Sequence, residues 1–190
     1  MNPWEVMDIL RERGAVEKGH FRLSSGLHSD TYVQCAKVLQ YPHLAESLAD
    51  AIASAFRDDP VDLVASPALG AVILGYMVAL SLGKRMIFAE RVNDRLTFRR
   101  GLRVEKGERV LLVEDVITTG GSLKEMMELV NGKGGEVWGI GALIERGEEE
   151  DFGVKKKTLV QLKAKVWRPE ECPLCAQGQP LEVPGSRGLA

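Results

Sequence analysis

The sequence predicts an α/β fold built on a doubly wound, mainly parallel sheet. Runs of apolar, β-forming residues alternate along the chain with segments whose apolar residues recur at helical spacing, an order typical of strands joined by crossover helices. The strand runs are continuously apolar, which indicates strands buried on both faces. The chain has 190 residues, 45% of them hydrophobic, and can therefore bury one full core. Residues 1–190 are accordingly predicted to form a single domain.

Apolar periodicity and helix-ending residues define the predicted elements of this domain. The predicted helices are Pro3 to Arg13, Leu44 to Phe56, a helix that follows Ser66–Ala71 and runs to about Leu82, and Leu123 to Val130. The predicted strands are Val61 to Ala65, Met86 to Ala89, Val110 to Val113, Glu136 to Glu145 and an edge strand from Thr158 to Val166. In a doubly wound sheet the turns that follow parallel strands meet at one edge, where ligands bind.

A hairpin near the N-terminus is predicted to lie outside the main sheet. Phe21–Leu23 and Thr31–Val33 flank a Ser/Gly turn, a pattern typical of two short strands. His20 and His28 are interpreted as solvated residues of this hairpin. The segments at about 15–40 and 158–180 are expected to form a small hood over the carboxyl edge of the sheet, and the Pro/Gly-rich residues 180–190 a poorly ordered end.

Composition and charge argue against several classes of protein. The net charge is −2 and the pI about 6.0, so no global feature suggests binding to nucleic acid or to an anionic membrane. No apolar run approaches the roughly 20 residues of a spanning helix, and the first residues, MNPWEVMDILRERG, do not form a signal peptide. Three cysteines do not make a secreted disulfide framework. We therefore expect a cytoplasmic protein without nucleic-acid or membrane partners.

The segment Arg109–Val130, RVLLVEDVITTGGSLKEMMELV, carries the strongest functional signal. A buried strand leads to the carboxylates of Glu114 and Asp115, then to the loop Thr118–Ser122 and the start of a helix. Glycines let the loop turn tightly and expose N–H groups, and the helix N-terminus adds unpaired donors. The carboxylates can accept hydrogen bonds from sugar hydroxyls but would repel a phosphate. The segment therefore suits a ribose phosphate, whereas the loop alone would equally suit an ordinary βα turn.

Positive charge is concentrated in residues 90–105, ERVNDRLTFRRGLRVE. Five arginines fall within thirteen residues of an otherwise acidic chain. Asn93-Asp94 suits the tip of a turn, and the residues around it predict a flexible hairpin. A solvated charged loop is the simpler interpretation of such a run. Arginines at this density also suit the binding of a polyanion.

Two stretches resemble the type I phosphoribosyltransferases. VLLVEDVITTGGS resembles the loop with which that family binds phosphoribosyl pyrophosphate (PRPP), and EDVITTGGS looks most like the orotate branch. FRLSSGLHSDTY resembles the N-terminal segment of the orotate enzymes. The implied PRPP ligands are Ser24, Glu114, Asp115, Val116, Ile117, Thr118, Thr119, Gly120, Gly121, Ser122 and Arg91. The implied orotate ligands are Ser25, Tyr32, Thr118 and Arg146, the last falling on an arginine that contacts the orotate carboxylate in that family.

The arginine-rich segment matches, in that family, a mobile catalytic loop that closes over the neighbouring subunit's site. The resemblance implies a homodimer, with Arg91 and Arg95 joining Asp115 as catalytic residues. Arginines there can stabilise the charge that builds on departing pyrophosphate. The family's loop lysine and histidine are not reproduced, since Arg95 and Thr97 lie near their positions. Ser24 and Leu69-Gly70 likewise stand where some members have a lysine and a Tyr-Lys pair.

The resemblance implies transfer of the phosphoribosyl group of PRPP to orotate, giving orotidine monophosphate and pyrophosphate in pyrimidine biosynthesis. Mg²⁺ is the implied cofactor, held mainly by PRPP rather than by the protein. A purine phosphoribosyltransferase is the nearest alternative, although it would gain little from Arg146. A PRPP-sensing regulator that binds nucleic acid is a second alternative, which the acidic pI argues against.

The tail motif Cys172-x-x-Cys175 lies outside this chemistry. It provides two thiolate ligands, whereas a structural zinc ion usually has four ligands. A zinc site shared between two subunits, a reversible disulfide and a simple turn are all open from the sequence. A redox or zinc-binding module would leave the loop Thr118–Ser122 unexplained. The charged segment Gly147–Lys157 is expected to be solvated.

Overall fold

The computed structural model describes residues 1–23 and 25–184, in which strands and helices alternate as predicted. The strands are β1 (Val16–Arg22), β2 (His28–Val33), β3 (Leu63–Pro67), β4 (Arg85–Val92), β5 (Arg95–Phe98), β6 (Arg109–Ile117), β7 (Glu136–Arg146), β8 (Lys155–Leu162) and β9 (Val166–Trp167). The helices are α1 (Pro3–Glu12), α2 (Ala36–Leu39), α3 (Pro42–Ala53), α4 (Val72–Leu82), α5 (Gly121–Gly132) and α6 (Pro173–Ala176). The sequence patterns had not indicated α2, which is a single turn.

In the described part of the chain the main sheet has six strands in the order β5-β4-β3-β6-β7-β8. β5 is antiparallel to β4, and the other neighbours are parallel, which confirms the predicted mainly parallel sheet. From β3 the chain passes to one side to form β4 and later to the other side to form β6. In a doubly wound fold a crevice opens where the winding reverses, beyond the carboxyl ends of the strands.

Helices cover both faces of this sheet. Leu63 and Ala65 of β3 belong to an apolar cluster with residues of α5, whereas Val64 belongs to a cluster with residues of α1, α3 and α4. All three are 0% exposed, and fully burying a large aliphatic side chain stabilises a fold by about 1.5–3 kcal/mol. Burial on alternating faces explains why the strand runs are continuously apolar. None of the described helices is long and apolar enough to span a membrane.

A second, antiparallel sheet of β1, β2 and β9 forms the hood. Its hairpin confirms the predicted strand pair, with both strands longer than predicted. The predicted edge strand Thr158–Val166 is divided, because β8 ends in the main sheet and Val166 begins β9. Glu182 makes two backbone hydrogen bonds with β1, both of 2.8 Å. Its N–H donates to the His20 carbonyl, and its carbonyl accepts from the Arg22 N–H. Glu182 thus joins the hood, residues 185–190 lie outside the described residues, and the poor order expected of 180–190 stays a prediction.

The two hairpin histidines are buried, so their interpretation as solvated residues is wrong. His20 is 2% exposed and His28 4%. The C-terminal segment covers them: Cys172 Sγ lies 3.4 Å from His20 Nε2, and Cys175 Sγ lies 3.3 Å from His28 Nδ1. His20 and Cys172 are 152 positions apart, a contact that no local pattern could indicate.

The charged segment between β7 and β8 is partly buried, contrary to the expectation that Gly147–Lys157 is solvated. Lys156 Nζ lies 2.7 and 2.9 Å from the two carboxylate oxygens of Glu145, whose side chain is 2% exposed. The Glu150 N–H donates to the same carboxylate at 2.8 Å, and Phe152 packs against the cluster that includes α5. A buried carboxylate needs such partners, which explains why the segment folds back onto the sheet.

Removing the Lys156 ammonium tests this interpretation. Lys156→Ala leaves Glu145 buried without a cation and is expected to lower the free energy of unfolding by about 3–5 kcal/mol. Lys157→Ala, one position along and without a salt bridge among the described residues, is the control and should cost less than about 1 kcal/mol. Denaturant unfolding of the two variants measures both values. Equal losses would contradict a specific role for Lys156.

Candidate active site

A small polar cavity lies where β6 leads into α5. Its volume is about 60 Å³, and it is lined by Glu114, Val116, Ile117, Thr118, Thr119, Gly120, Gly121, Ser122 and Leu123. Gly120 precedes α5 and provides no side-chain cap, so the first N–H groups of the helix have no partner within it. Uncapped amides and the positive end of the helix dipole favour a bound anion. The segment that the sequence predicts to bind a phosphate thus lines this cavity, which is referred to as the phosphate cradle.

Two constraints require glycine at position 120. Its φ is 69°, in the left-handed region that side chains rarely adopt. A Cβ at this position would also lie 2.8 Å from the Phe152 ring. The segment that carries Phe152 is tied to α5 by a 3.0 Å ion pair between Lys124 and Glu150. The segment between β7 and β8 therefore supports the back of the cradle.

The carboxylates of Glu114 and Asp115 stand at the end of β6, beside the turn that follows β3. A Cβ at Gly70 would lie 2.6 Å from Asp115 Oδ2, so the backbone of this turn passes directly against the carboxylate. Asp115 Oδ1 accepts a hydrogen bond from the Val116 N–H at 2.9 Å. Burial and the neighbouring charge of Asp115 raise the pKa of Glu114 well above its usual range. Two crowded carboxylates are stabilised by hydroxyl donors or a cation.

A larger pocket of about 840 Å³ separates the hood from the carboxyl edge of the main sheet. From the sheet it is lined by Thr118, Thr119, Arg146, Gly147 and Ala164, and from the hood by Arg22, Leu23, Ser25, Gly26, Leu27, Tyr32, Val33, Gln34, Val166, Val183 and Pro184. Thr118 and Thr119 also line the phosphate cradle. The two cavities therefore share a wall, as a ligand joining a phosphate to a base would need.

Arg146, at the end of β7, is one of two arginines that line the larger pocket, the other being Arg22 of the hood. In the described part of the chain it makes no salt bridge, and its Nη2 donates a 3.3 Å hydrogen bond to Ser29 Oγ. Burial lowers the pKa of Arg146, an effect that the charge of Asp30 only partly offsets. A partly buried guanidinium without an ion-pair partner favours a bidentate anion such as a carboxylate.

The hood contributes both predicted and unpredicted residues to the pocket. Ser25 and Tyr32 line it as predicted, and the Tyr32 ring packs against Phe21 with centroids 5.6 Å apart. Ser24 lies outside the described residues. Sequence reasoning missed Arg22 and Gln34. Gln34 comes directly after β2, two positions beyond Tyr32, so its nearness to Tyr32 in the sequence could have indicated it.

The arginine-rich segment lies away from both cavities of its own subunit. β4 and β5 form the predicted hairpin, with Asn93 and Asp94 at its tip at φ 48° and 61°. Neither Arg91 nor Arg95 lines either cavity, and Arg91 forms a 2.9 Å ion pair with Glu125 of α5. The structure thus brings together the cradle, the acid pair, Ser25 and Arg146, but not Arg91 and Arg95.

Comparison with known proteins identifies the family. Residues 35–173 match the family model of the phosphoribosyl transferase domain. Over 190 residues, 100% of each chain, the sequence is 49% identical to an orotate phosphoribosyltransferase of Caldanaerobacter subterraneus subsp. tengcongensis. The chain belongs to the orotate phosphoribosyltransferase family. It is also 47% identical to the orotate phosphoribosyltransferase of Thermotoga maritima over 185 residues, which are 97% of this chain and 99% of that protein.

Solved structures agree with the fold of this family. An orotate phosphoribosyltransferase from Aeropyrum pernix superposes with a TM-score of 0.72 at 27% identity, over 83% of this chain and 93% of that chain. An adenine phosphoribosyltransferase from Thermoanaerobacter pseudethanolicus gives a TM-score of 0.62 at 22% identity, over 70% of this chain and 88% of that chain. Because both base specificities share the fold, the orotate assignment depends on the full-length sequence identity. The family predicted from EDVITTGGS is confirmed.

Replacing Glu114 tests the electrostatics of the acid pair. When folding raises the pKa of a carboxyl, the fold becomes less stable as the pH rises from the ordinary pKa through the raised one. Burial of Glu114 beside Asp115 therefore destabilises the ligand-free fold at neutral pH. Glu114→Gln should therefore raise the Tm at neutral pH, by about 2–4 °C for a relief on the order of 1 kcal/mol. The difference should shrink as the pH falls below about 4.3, the ordinary glutamate pKa.

Thermal unfolding across this pH range measures the effect. Glu46→Gln, at an exposed position of α3, is the control and should leave the Tm unchanged throughout. A Glu114→Gln protein that is less stable than wild type at neutral pH would contradict the proposed repulsion.

Proposed function

We propose that the two cavities are the site at which this orotate phosphoribosyltransferase joins orotate to the ribose of PRPP. The observation that carries the proposal is the position of an uncapped helix start and of Arg146, which has no ion-pair partner in the described part of the chain, on either side of a wall formed by Thr118 and Thr119. The cradle would hold the sugar phosphate through backbone N–H groups and the hydroxyls of Thr118, Thr119 and Ser122. Arg146 would hold the carboxylate of orotate, with Tyr32 and Ser25 along the base.

The acid pair would position the ribose between these two ends. Asp115 and Glu114 accept hydrogen bonds from the sugar hydroxyls, which would relieve the crowding that raises the pKa of Glu114. Carboxylate oxygens also suit Mg²⁺, which keeps part of its shell from substrate phosphates and water. Two adjacent carboxylates therefore fit an ion held mainly by PRPP. When bound, Mg²⁺ supplies positive charge that stabilises departing pyrophosphate.

The remaining chemistry requires charge stabilisation rather than a nucleophile. Breaking the bond between the anomeric carbon and pyrophosphate leaves positive character on the ribose and negative charge on the leaving group. Asp115 lies next to Gly70. Gly70 belongs to the turn after β3, whose backbone would face the pyrophosphate. Arg95 and Arg99 are exposed and have no carboxylate partner among the described residues, so they are available to a polyanion.

A second copy of the chain would bring these arginines to the site. Four exposed apolar residues form one stripe along α4 and the turn before it: Leu69, Ile73, Tyr76 and Leu80, each 50–85% exposed. Such a stripe on a soluble fold favours a protein partner. It begins at the turn that borders Asp115, so a subunit packed there stands beside the acid pair. We expect a homodimer in which each arginine hairpin acts on the neighbouring site.

Arg146 provides the test of base recognition. Loss of a charge-assisted hydrogen-bonded pair costs about 1.5–3 kcal/mol, so Arg146→Gln should raise the KM for orotate by roughly 10–100-fold while the KM for PRPP changes little. Pyrophosphate release and loss of the orotate ultraviolet band, with PRPP and Mg²⁺ present, measure both values. Arg13→Gln is the control, because Arg13 stacks on Tyr41 and does not line either cavity.

Parallel assays with adenine, guanine and hypoxanthine complete this test. Wild-type protein should release pyrophosphate with orotate and not with the purines. An orotate KM that Arg146→Gln leaves unchanged would contradict the assignment of the carboxylate site. Release with a purine alone would contradict the choice of base.

Mixing two inactive variants tests whether the hairpin acts between subunits. Asp115→Asn removes an acid of the site, Arg91→Ala/Arg95→Ala removes the hairpin cations, and each change should lower kcat by about 100-fold or more. If the hairpin serves the neighbouring site, a heterodimer contains one intact site, and random mixing restores about a quarter of the wild-type activity. Subunit exchange and steady-state assays measure the recovery.

Arg103→Ala is the matched control, because Arg103 belongs to the same segment and pairs with Glu105. It should remain active alone. Mixtures that stay inactive after subunit exchange would show that the hairpin serves its own subunit. Unchanged turnover in both the Asp115 variant and the arginine variant would overturn the site itself.

A further inference from the structure

Four potential metal ligands meet inside the hood. They are His20 on β1, His28 on β2, and Cys172 and Cys175 at the start of α6. One ligand atom from each residue lies within 4.8 Å of all the others. The first three residues are buried, and Cys175 stands at the surface. We propose that these four side chains bind one structural zinc ion that fastens the C-terminal segment to the N-terminal hairpin.

The separations between the ligand atoms match a tetrahedral site. With Zn–N near 2.0 Å and Zn–S near 2.3 Å, tetrahedral edges are about 3.3 Å between two nitrogens and about 3.5 Å between nitrogen and sulfur. His20 Nε2 and His28 Nδ1 are 3.1 Å apart. Three of the four nitrogen–sulfur separations are 3.3, 3.4 and 3.6 Å. Four of the six separations between ligand atoms therefore fit a tetrahedral Cys₂His₂ site, and the other two are within 4.8 Å.

A hydrogen bond outside the cluster orients the first histidine. His20 Nδ1 lies 3.0 Å from the carbonyl oxygen of Gln179, so Nδ1 carries the proton and Nε2 presents its lone pair to the cluster. Metal-bound histidines commonly donate their other N–H to a backbone carbonyl in this way. Gln179 lies just beyond α6, and its own N–H bonds to the Leu174 carbonyl at 3.0 Å. The segment that supplies the thiolates therefore also orients the imidazole.

A structural zinc ion usually has four ligands, and the Cys172-x-x-Cys175 motif provides two. The two histidines provide the other two. They come from the same chain, so the site needs no second subunit. The Cys-x-x-Cys spacing places both sulfurs on one turn, as in structural zinc knuckles.

The position of the cluster gives it a structural role. The hood sheet contains strands of 7, 6 and 2 residues, too little to bury a core of its own, and small folds of this kind often rely on a metal. The turn between β1 and β2 lines the larger pocket, as do Val183 and Pro184 beyond α6. An ion that joins these two segments would fix the hood wall of the pocket.

Metal content is the direct test, and the chain offers matched controls. Tag-free protein purified without chelator should contain about one zinc per chain by elemental analysis. Cys172→Ser/Cys175→Ser and His20→Asn/His28→Asn should each lose it. The chain has three cysteines and three histidines, so Cys35→Ala and His43→Asn remove the one cysteine and the one histidine outside the cluster. Both control variants should retain the zinc.

Measurements on the wild-type chain keep the test valid if the ligand variants do not fold. Replacement of zinc by cobalt should give the visible bands of tetrahedral Co²⁺ and a thiolate charge-transfer band. A chelator should lower the Tm of wild type and of both controls. Zinc-free wild type that takes up no metal, zinc retained by the double cysteine variant, or a Cys172–Cys175 disulfide found by mass spectrometry would each overturn the proposal.

Discussion

The parallel pairing of β3 with β6 at the centre of the main sheet is the constraint on which the site depends. Leu63 to Ala65 pair with Val110 to Leu112, and all six residues are fully buried. The pairing stops there, although β3 continues to Pro67 and β6 to Ile117. The two strand ends thus separate at the point where the winding reverses. The turn after β3 and the cradle after β6 border one crevice, which allows Gly70 to approach Asp115.

The charged groups around this crevice differ in burial and in whether they have a partner of opposite charge. Glu114 is 8% exposed beside a second carboxylate, and Arg146 is partly buried without an ion-pair partner among the described residues. Glu145, although as deeply buried, is neutralised by Lys156 and takes no part in the crevice. A buried charge without a partner is unfavourable. The unpaired groups are therefore the ones that a bound ligand would stabilise, and they lie on either side of Thr118 and Thr119.

The hood depends on contacts between the two ends of the chain. Glu182 bonds to β1, β9 pairs with β2, and the side chains of α6 cover His20 and His28. The main sheet is stabilised by two apolar clusters, whereas the hood has mainly polar side chains at its centre. Its order therefore depends on how those polar groups are satisfied. The larger pocket shares this dependence, because the hood forms one of its walls.

The sequence by itself determined the α/β class, the parallel core strands and the continuous segment from Glu114 to Ser122 that lines the cradle, whereas the carboxylate-binding role of Arg146 stays a prediction. These features are local, because continuous apolar runs indicate buried strands and the cradle is formed by one uninterrupted segment. Only the tertiary structure decided that His20 and His28 are buried against Cys172 and Cys175, that Gln34 and Arg22 line the pocket, and that Phe152 and Lys156 are packed rather than solvated. Each of these depends on contacts between distant positions, for which the polarity of a residue is a poor guide. Burial of a polar side chain is set by the partner that the fold brings to it.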